Sequence, residues 1–461
     1  MVKKRILAAV LNRGMLFNLR LANSYFDRPG NYFCLAGADT MEPGIKLLKK
    51  IVFGHSVRAY LVGGYLRDLL LGREPFDMDL VVSDKVEEIS GAFARETGGS
   101  LVELDQKRGI YRVVTPGNGA CDFSLLKGGD IRADLSCRDF TINALAYPLE
   151  DMPVAENMII DPLGGRADLE QRILRIVSEE AFIDDPLRIL RAVRLLVQLD
   201  DFGFRVDDNT GDYMRQYRMR LDLAARERIR EELIKCFRAL DDAEQVLYIE
   251  REFGLFSFFM SAVVEDRRPF LSGVVSLGIL LSLLPEGKRD DYLLKLATLF
   301  YFLLRDEKDS GEWFDRLCFS RREISCLKGI FSGVPELLRV YQGRHREREI
   351  YELVRSLGDD LDRIYFLGAV VYLSEFLYLS FSSYWQERDC FFSFLNGLRE
   401  AASRLEEVRD NLPGGDWIME VLSLPEGPEV GRILSDLEIE VACGQIEDKE
   451  ELEQYLLAEY G

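Results

Sequence analysis

The hydrophobic period changes once along this chain, near residue 179, and that change sets the outline of the fold. Before it, short runs of β-formers alternate with helical stretches. The spacing predicts strands at 59–62, 80–82, 101–104, 111–114 and 121–125. It predicts helices at 65–71, stopped by Gly72, at 86–97, stopped by Gly98-Gly99, and at 139–146. After residue 179 only the helical period remains. Residues 185–199 put apolar side chains on one face and Arg188, Arg191 and Arg194 on another. Further helices are expected at 223–240, 292–304, 322–341, 346–356, 362–380 and 392–409. Breaks are expected at the Pro and Gly clusters near 268–273, 285–287, 333–334, 413–415 and 425–428. The expected fold class is α+β: a head with a small mixed sheet, followed by an extended all-α region. The expected domains are 1–40, an N-terminal arm; 41–178, the head; 179–245, a helical neck; and 246–461, an all-α body and tail.

Composition narrows the function classes. The chain has 461 residues, 48% of them hydrophobic, which is globular. No apolar run reaches the roughly 20 residues that span a bilayer, and no membrane partner is expected. Asn12 and Arg13 interrupt the short apolar stretch after Lys3, Lys4 and Arg5, so a signal peptide is not expected. The eight cysteines are scattered with no Cys-x-x-Cys pair, so neither zinc nor a disulfide framework is indicated, and a reduced, cytoplasmic setting is expected. His55 and His345 are the only histidines, which favours carboxylate chemistry; His55, just ahead of a strand, reads as structural. The net charge of −20 argues against nucleic acid, but its distribution is uneven. Residues 186–240 carry twelve Arg and Lys against nine Asp and Glu, a basic stripe in an acidic protein.

The segment Asp77-Met78-Asp79-Leu80-Val81-Val82 carries the chemistry. On a strand Asp77 and Asp79 share a face, because side chains alternate. Two adjacent carboxylates repel unless a cation lies between them, and hard divalent ions take oxygen ligands. Gly63 and Gly64, upstream, let backbone N–H groups approach a phosphate. Together these point to metal-assisted phosphoryl or nucleotidyl transfer. A third carboxylate from a neighbouring strand is needed, and Asp122 is the candidate.

Three later segments add to it. Asp139 and Asn143 would share a helix face, and an acceptor plus an amide suits a ribose hydroxyl; Asp139 could equally cap that helix. Asp161-Pro162-Leu163-Gly164-Gly165-Arg166-Ala167-Asp168-Leu169 reads as a hinge, with Asp168 starting the next element. Asp185 and Arg188, three apart, form either a local ion pair or a protein-side reader of a base edge. A carboxylate accepts from an exocyclic amine and a guanidinium donates to ring acceptors, which suits cytosine or adenine.

In this order the segments resemble the five motifs of the class II tRNA nucleotidyltransferase and bacterial poly(A) polymerase family, in the DNA polymerase beta superfamily. Gly63-Gly64 through Arg67-Asp68 to Asp77 and Asp79 resembles the catalytic motif. Arg138-Asp139-Phe140-Thr141-Ile142-Asn143-Ala144 resembles the ribose motif, and 161–169 the hinge motif. Asp185-Pro186-Leu187-Arg188-Ile189-Leu190-Arg191-Ala192 resembles the base-reading motif. Glu227-Arg228-Ile229-Arg230-Glu231-Glu232 resembles the fifth, which supports it. The likeness covers about 60–240; beyond 250 only helicity is shared. Two departures are Cys137, where the family usually has Arg, and Asp184, where it usually has Glu.

The resemblance implies Mg2+ on Asp77 and Asp79, with Asp122 easing attack by an RNA 3′-hydroxyl. It implies that Gly63, Gly64 and Arg67 hold the triphosphate, and it carries Arg138, Asp139, Asn143, Asp185, Arg188 and Arg191 into the nucleotide-binding set. The helical region would hold tRNA by shape and phosphate contacts. Only residues 123–136 separate Asp122 from Cys137, with a Lys127-Gly128-Gly129-Asp130 turn. Family members that add the terminal A have a longer, flexible connection there. The implied activity is CC addition from CTP, the alternatives being A addition, full CCA addition with ATP, and poly(A) synthesis. The acidic 241–461 region speaks against the last. A catalytically silent RNA-binding protein is the alternative from another class.

Overall fold

The computed structural model describes residues 38–461 except 76, 107, 117–118, 260–266, 305–313, 315–318, 344–346, 376–380 and 447. The expected arm, but for residues 38–40, and His345 lie outside the described residues. The chain forms two compact units, Met1–Cys236 with Arg251–Leu255, and Phe237–Glu250 with Phe256–Gly461.

The first unit holds a six-stranded mixed sheet. Helix α1 (Ala38–His55) leads into β1 (Ala59–Val62), α2 (Gly64–Leu70), β2 (Met78–Val82), α3 (Val86–Thr97), β3 (Ser100–Asp105), β4 (Ile110–Val114), β5 (Ala120–Leu125), α4 (Ile131–Ser136) and β6 (Ala146–Pro148). The strand order is β3-β4-β5-β2-β1-β6. Only β2 and β5 run parallel; the other neighbours are antiparallel. One sheet face is covered by α3, whose Phe93 meets Phe123 of β5 at 5.7 Å between ring centroids. On the other face Val62 and Val81 pack with Ile131 and Leu135 of α4. Burying each such side chain is worth roughly 1.5–3 kcal/mol. His55 closes α1, its Nδ1 2.8 Å from the Ile51 carbonyl, as a structural residue would.

Residues 139–146 are not the expected helix. Thr141–Asn143 makes a single 3-10 turn, and Ala146–Pro148 then pairs with β1. Phe140, Ile142, Ala144, Leu145, Ala146 and Tyr147 are all fully buried and the polar Thr141 and Asn143 are buried among them, so burial here follows neither the helix nor the strand period. After it come α5 (Gly165–Gln171), β7 (Ile173–Leu174), α6 (Glu180–Asp184), α7 (Arg188–Gln198), β8 (Arg205–Val206), α8 (Asp208–Tyr217) and α9 (Arg226–Ala239). In the hinge, Asp161 caps α5 by accepting from the Gly165 and Arg166 N–H groups at 2.8 and 2.9 Å. Asp168 does not start that helix. It is buried inside it, accepting from Thr141 Oγ1 at 2.6 Å and pairing with Arg175.

In the second unit the described regular elements are helical. Two expected breaks are absent, because Arg267–Leu283 and Arg321–Gln342 run through them. Their glycines are crossing points rather than stops. A Cβ on Gly273 would sit 1.8 Å from the Leu299 carbonyl oxygen, and one on Gly333 would sit 2.5 Å from Ile364 Cδ1. A missing side chain there lets two helices touch, and their packing outweighs the helix-weakening effect of glycine. Lys295 is fully buried in Tyr292–Leu304 and donates to the Leu240 and Arg238 carbonyls at 2.7 and 3.0 Å. Its charge faces carbonyls at a helix end, where a cation is favoured.

Candidate active site

Strand β2 delivers Asp79 to the sheet face covered in part by α4, and Asp77 stands one residue before the strand. Register sets Asp79 beside Asp122 of β5, and Asp122 beside Arg112 of β4. The three share a face, in one row across three strands. Asp122 accepts two hydrogen bonds from Arg112, from Nε and Nη2, both at 2.7 Å. Asp79 is half-buried, and burial together with the Asp122 and Asp77 charges pushes its carboxyl up to about 6, although Arg138 and Arg191 pull it down. Burial also raises Asp77, assisted by Asp122 and opposed by Arg112 and the Ala120 N–H.

That pattern tests the fit of a divalent ion. Asp77 and Asp79 offer hard oxygen donors whose nearby arginines do not offset burial and mutual repulsion, which is the condition a bound cation relieves. Among the described residues no three His, Cys, Asp or Glu side chains converge into a ready cage. Asp122 is engaged by Arg112, so the expected third carboxylate is present in the row while its oxygens face a guanidinium. The residues therefore fit a metal held first by Asp77 and Asp79.

The surrounding donors are ordered by short links. Gly63 has φ 70°, and a Cβ there would lie 2.8 Å from Asp79 Oδ2 and 3.5 Å from Arg138 Nη1. Only glycine lets the β1–α2 turn approach the carboxylate this closely. Gly64 then opens α2, close enough to Arg67 that its own Cβ would meet the guanidinium at 3.4 Å. Arg67 is largely buried and donates to both Asp68 oxygens at 2.9 Å and to Asn143 Oδ1 at 3.0 Å. Arg67 therefore orients Asn143, a job its place in the glycine turn did not reveal.

Asn143 in turn donates from Nδ2 to Asp139 Oδ1 at 3.2 Å. The expected meeting of Asp139 and Asn143 occurs, across a 3-10 turn instead of a helix face. Asp139 is buried, and burial alone would raise its carboxyl. Arg191 at 2.9 Å, the Phe140 N–H and the Asn143 amide outweigh that and hold it below the ordinary range. The Asp139 charge raises Arg191 in return. Arg191 Nε is buried with no hydrogen-bond partner among the described residues.

Asp185 and Arg188 do not pair with each other. Asp185 accepts from Arg228 of α9 at 2.9 Å, while Arg188 donates to the Cys137 and Ala181 carbonyls at 2.8 and 3.2 Å. Burial lowers the Arg188 guanidinium, against the pull of Asp139 and Asp185. Glu232, one turn beyond Arg228, accepts from Arg194 at 2.7 Å. Helix α9 thus reaches α7 at Arg194 and the segment just before it at Asp185.

Two contributors went unnoticed in the sequence. Arg112 stands out as the one charged side chain in β4, and strand alternation could have set it beside Asp122. Asp134 is buried in α4; it accepts from Arg138 Nε and Nη2 at 3.1 Å and from the Lys127 N–H at 3.2 Å. Its spacing of four from Arg138 is the signal that was available.

Known proteins share stretches of this sequence and its fold. Residues 59–175 match the family described as Poly A polymerase head domain. A CC-adding tRNA nucleotidyltransferase of Geobacter sulfurreducens is 46% identical over 192 residues, 41% of this chain and 42% of that protein. A CC-adding tRNA nucleotidyltransferase of Thermus thermophilus is 32% identical over 441 residues, 87% of this chain and 93% of that protein. A-adding and CCA-adding enzymes are also among the relatives. The CCA-adding enzyme of Thermotoga maritima, solved in complex with tRNA, shares the fold with a TM-score of 0.62 at 24% identity, covering 92% of this chain and 96% of its own. With a catalytic-motif strand, its glycine turn and a relative matched along nearly its whole length, the chain belongs to the tRNA nucleotidyltransferase family of enzymes, built on a head of the poly(A) polymerase type.

Proposed function

We propose that this protein transfers CMP from CTP to the 3′ end of tRNA without a template, and stops after two additions. The observation that carries the CC reading is the connector between Asp122 and Cys137. Its Gly128-Gly129 turn has φ of 66° and 83°, and a Cβ on Gly128 would meet Ala133 Cβ at 2.6 Å. Asp130 then caps α4 by accepting from the Ala133 N–H at 2.9 Å, and buried Asp134 ties the same helix to Lys127 and Arg138. A connector tied at both ends supplies no lever to reset the pocket from a pyrimidine to a purine.

Enzymes of this superfamily generally use divalent metal ions; here we assign Mg2+, held by Asp77 and Asp79. A bound ion would polarise the triphosphate and favour the attacking hydroxyl. Asp122 supplies the third carboxylate. Arg138, set by Asp134, faces the Gly63 turn, where it meets phosphate charge; Gly63 and Gly64 admit that phosphate. Asn143, set by Arg67 and Asp139, meets the ribose. Asp185 accepts from the cytosine amine and Arg188 donates to its ring acceptors, with the buried Arg191 Nε as an additional donor. The 41–178 head would catalyse, the 179–245 neck would read the base, and the 246–461 helices would hold tRNA.

The test presents tRNA lacking its CCA end, ending in C, and ending in CC, each with CTP alone and with ATP alone. CTP should extend the first two to CC and leave the third unchanged, and ATP should add nothing. Efficient AMP incorporation onto tRNA ending in CC would refute CC specificity and favour full CCA addition.

A further inference from the structure

Arg112 shares a row with two of the site's carboxylates, Asp79 and Asp122. Cross-strand partners in a sheet lie about 5 Å apart, so Asp79, Asp122 and Arg112 stand shoulder to shoulder. The fork-to-fork contact between Arg112 and Asp122 engages both carboxylate oxygens. Stability gives little reason for this pair, since its side chains are 42% and 26% exposed and such pairs contribute at most about 1 kcal/mol. The strand would accept a β-branched residue at that position readily. The Arg112 charge also reaches beyond Asp122, drawn by Asp77 and Asp79 as well.

We propose that Arg112 is a positioning residue that holds Asp122 away from the metal-binding pair until nucleotide arrives. The inference rests on the assignment of Asp77 and Asp79 as metal ligands. In the nucleotide-free chain the guanidinium supplies part of the positive charge these carboxylates need, and it occupies both oxygens of the third. A divalent ion then meets two free carboxylates instead of three and binds weakly. A nucleoside triphosphate brings several negative charges of its own. That charge both recruits the cation and offers Arg112 a competing partner, so Asp122 is released when the substrate is in place. Arg112 thereby couples metal loading to nucleotide loading.

The experiment measures Mn2+ binding to the full chain by electron paramagnetic resonance, with and without a non-hydrolysable CTP analogue. Arg112→Gln should bind Mn2+ roughly ten-fold more tightly than wild type without nucleotide, and show a smaller gain on adding it. Arg112→Lys keeps the charge and loses the fork, so its affinity should fall between the two. Adding Asp122→Asn to Arg112→Gln should remove the gain, because the freed carboxylate causes it. Thermal melts identify any variant that fails to fold, and the Lys variant then decides. Unchanged nucleotide-free affinity in folded Arg112→Gln or Arg112→Lys would overturn the proposal. Should Asp79→Asn bind Mn2+ as wild type does, the metal assignment itself fails, which is a separate outcome.

Discussion

The entry of β2 and the start of α7 handle charge in opposite ways. At β2, Asp77 and Asp79 are both pushed upward, so their ionised forms are held at a cost. At α7, buried Asp139 is held below the ordinary range by Arg191 and two N–H donors, Asp185 pairs with Arg228, and Arg194 pairs with Glu232. Both places belong to one compact unit and use the same residue types. What differs is the supply of partners. A strand end selected for stability alone would pair or neutralise its aspartates. Keeping them short of positive charge makes sense where an incoming cation completes the set, and pairing makes sense where a scaffold must hold still.

The largest expected effect breaks the underpaired place. Asp77→Asn or Asp79→Asn should lower CMP incorporation by roughly a thousand-fold or more, because a neutral amide cannot hold and position the ions. The fold should survive, since relieving repulsion does not harm a strand end. Single-turnover extension of tRNA with labelled CTP measures it. Near-normal rates in either variant would end the metal mechanism.

The paired place should respond in stability instead. Asp139→Asn removes the carboxylate that neutralises Arg191 and leaves that guanidinium without its ion pair. The expected cost is about 2–3 kcal/mol, less than for a fully buried pair because Arg191 is partly exposed. A urea midpoint equal to that of wild type would mean the ion pair does not hold this corner.

Asp79 sharpens the contrast through pH. Its folded pKa, about 6, lies above the ordinary 3.8. The folded chain therefore binds a proton more tightly than the unfolded chain. The stability this proton contributes is present below pH 3.8 and lost as pH rises through about 6. Metal-free Asp79→Asn should thus be more stable than wild type at pH 7, by on the order of 2 kcal/mol, and gain nothing near pH 3.5. Adding Mg2+ at pH 7 should raise the melting temperature of wild type more than that of the variant. Equal melting of the two metal-free proteins at pH 7 would show that Asp79 carries no electrostatic burden.

Five strands of the head were legible because each short apolar run is bounded by a turn signal; Asp77 and Asp79 were paired by alternation, and Asp122 was picked as the carboxylate a neighbouring strand should supply. The path of 139–148 was not legible, since an unbroken buried run carries no period. The helix through Gly273 was missed, and the break expected at Gly333 inside the 322–341 helix was wrong, because a glycine that stops a helix and one that admits a neighbour look alike until the neighbour is known. Within the site, the short spacing of Asp139 and Asn143 was read, while that of Asp134 and Arg138 was not. Contacts set by tertiary approach were not read either. Arg67 on Asn143, Arg228 on Asp185 and Arg188 on the Cys137 carbonyl join segments 76, 43 and 51 residues apart.

Base reading carries the smallest expected effect, and it bears on how completely the α7 end is paired. Arg228 holds Asp185 Oδ2 at 2.9 Å, while Oδ1 takes only a 3.2 Å contact from the Leu187 N–H. One carboxylate oxygen is thus better placed to accept from a cytosine amine. Arg188 already donates to two carbonyls, so it must share or exchange a donor to reach the base. Partial commitment of both groups puts the discrimination near the low end of bidentate readout, about 1 kcal/mol or a five-fold change in the CTP-to-UTP ratio. Asp185→Ala and Arg188→Ala should each lower that ratio while changing the CTP triphosphate affinity little. Arg228→Gln should lower it less, because it loosens Asp185 without removing the acceptor. If Asp185→Ala and Arg188→Ala both keep the wild-type ratio, these two side chains brace α7 and α9 and take no part in choosing the base.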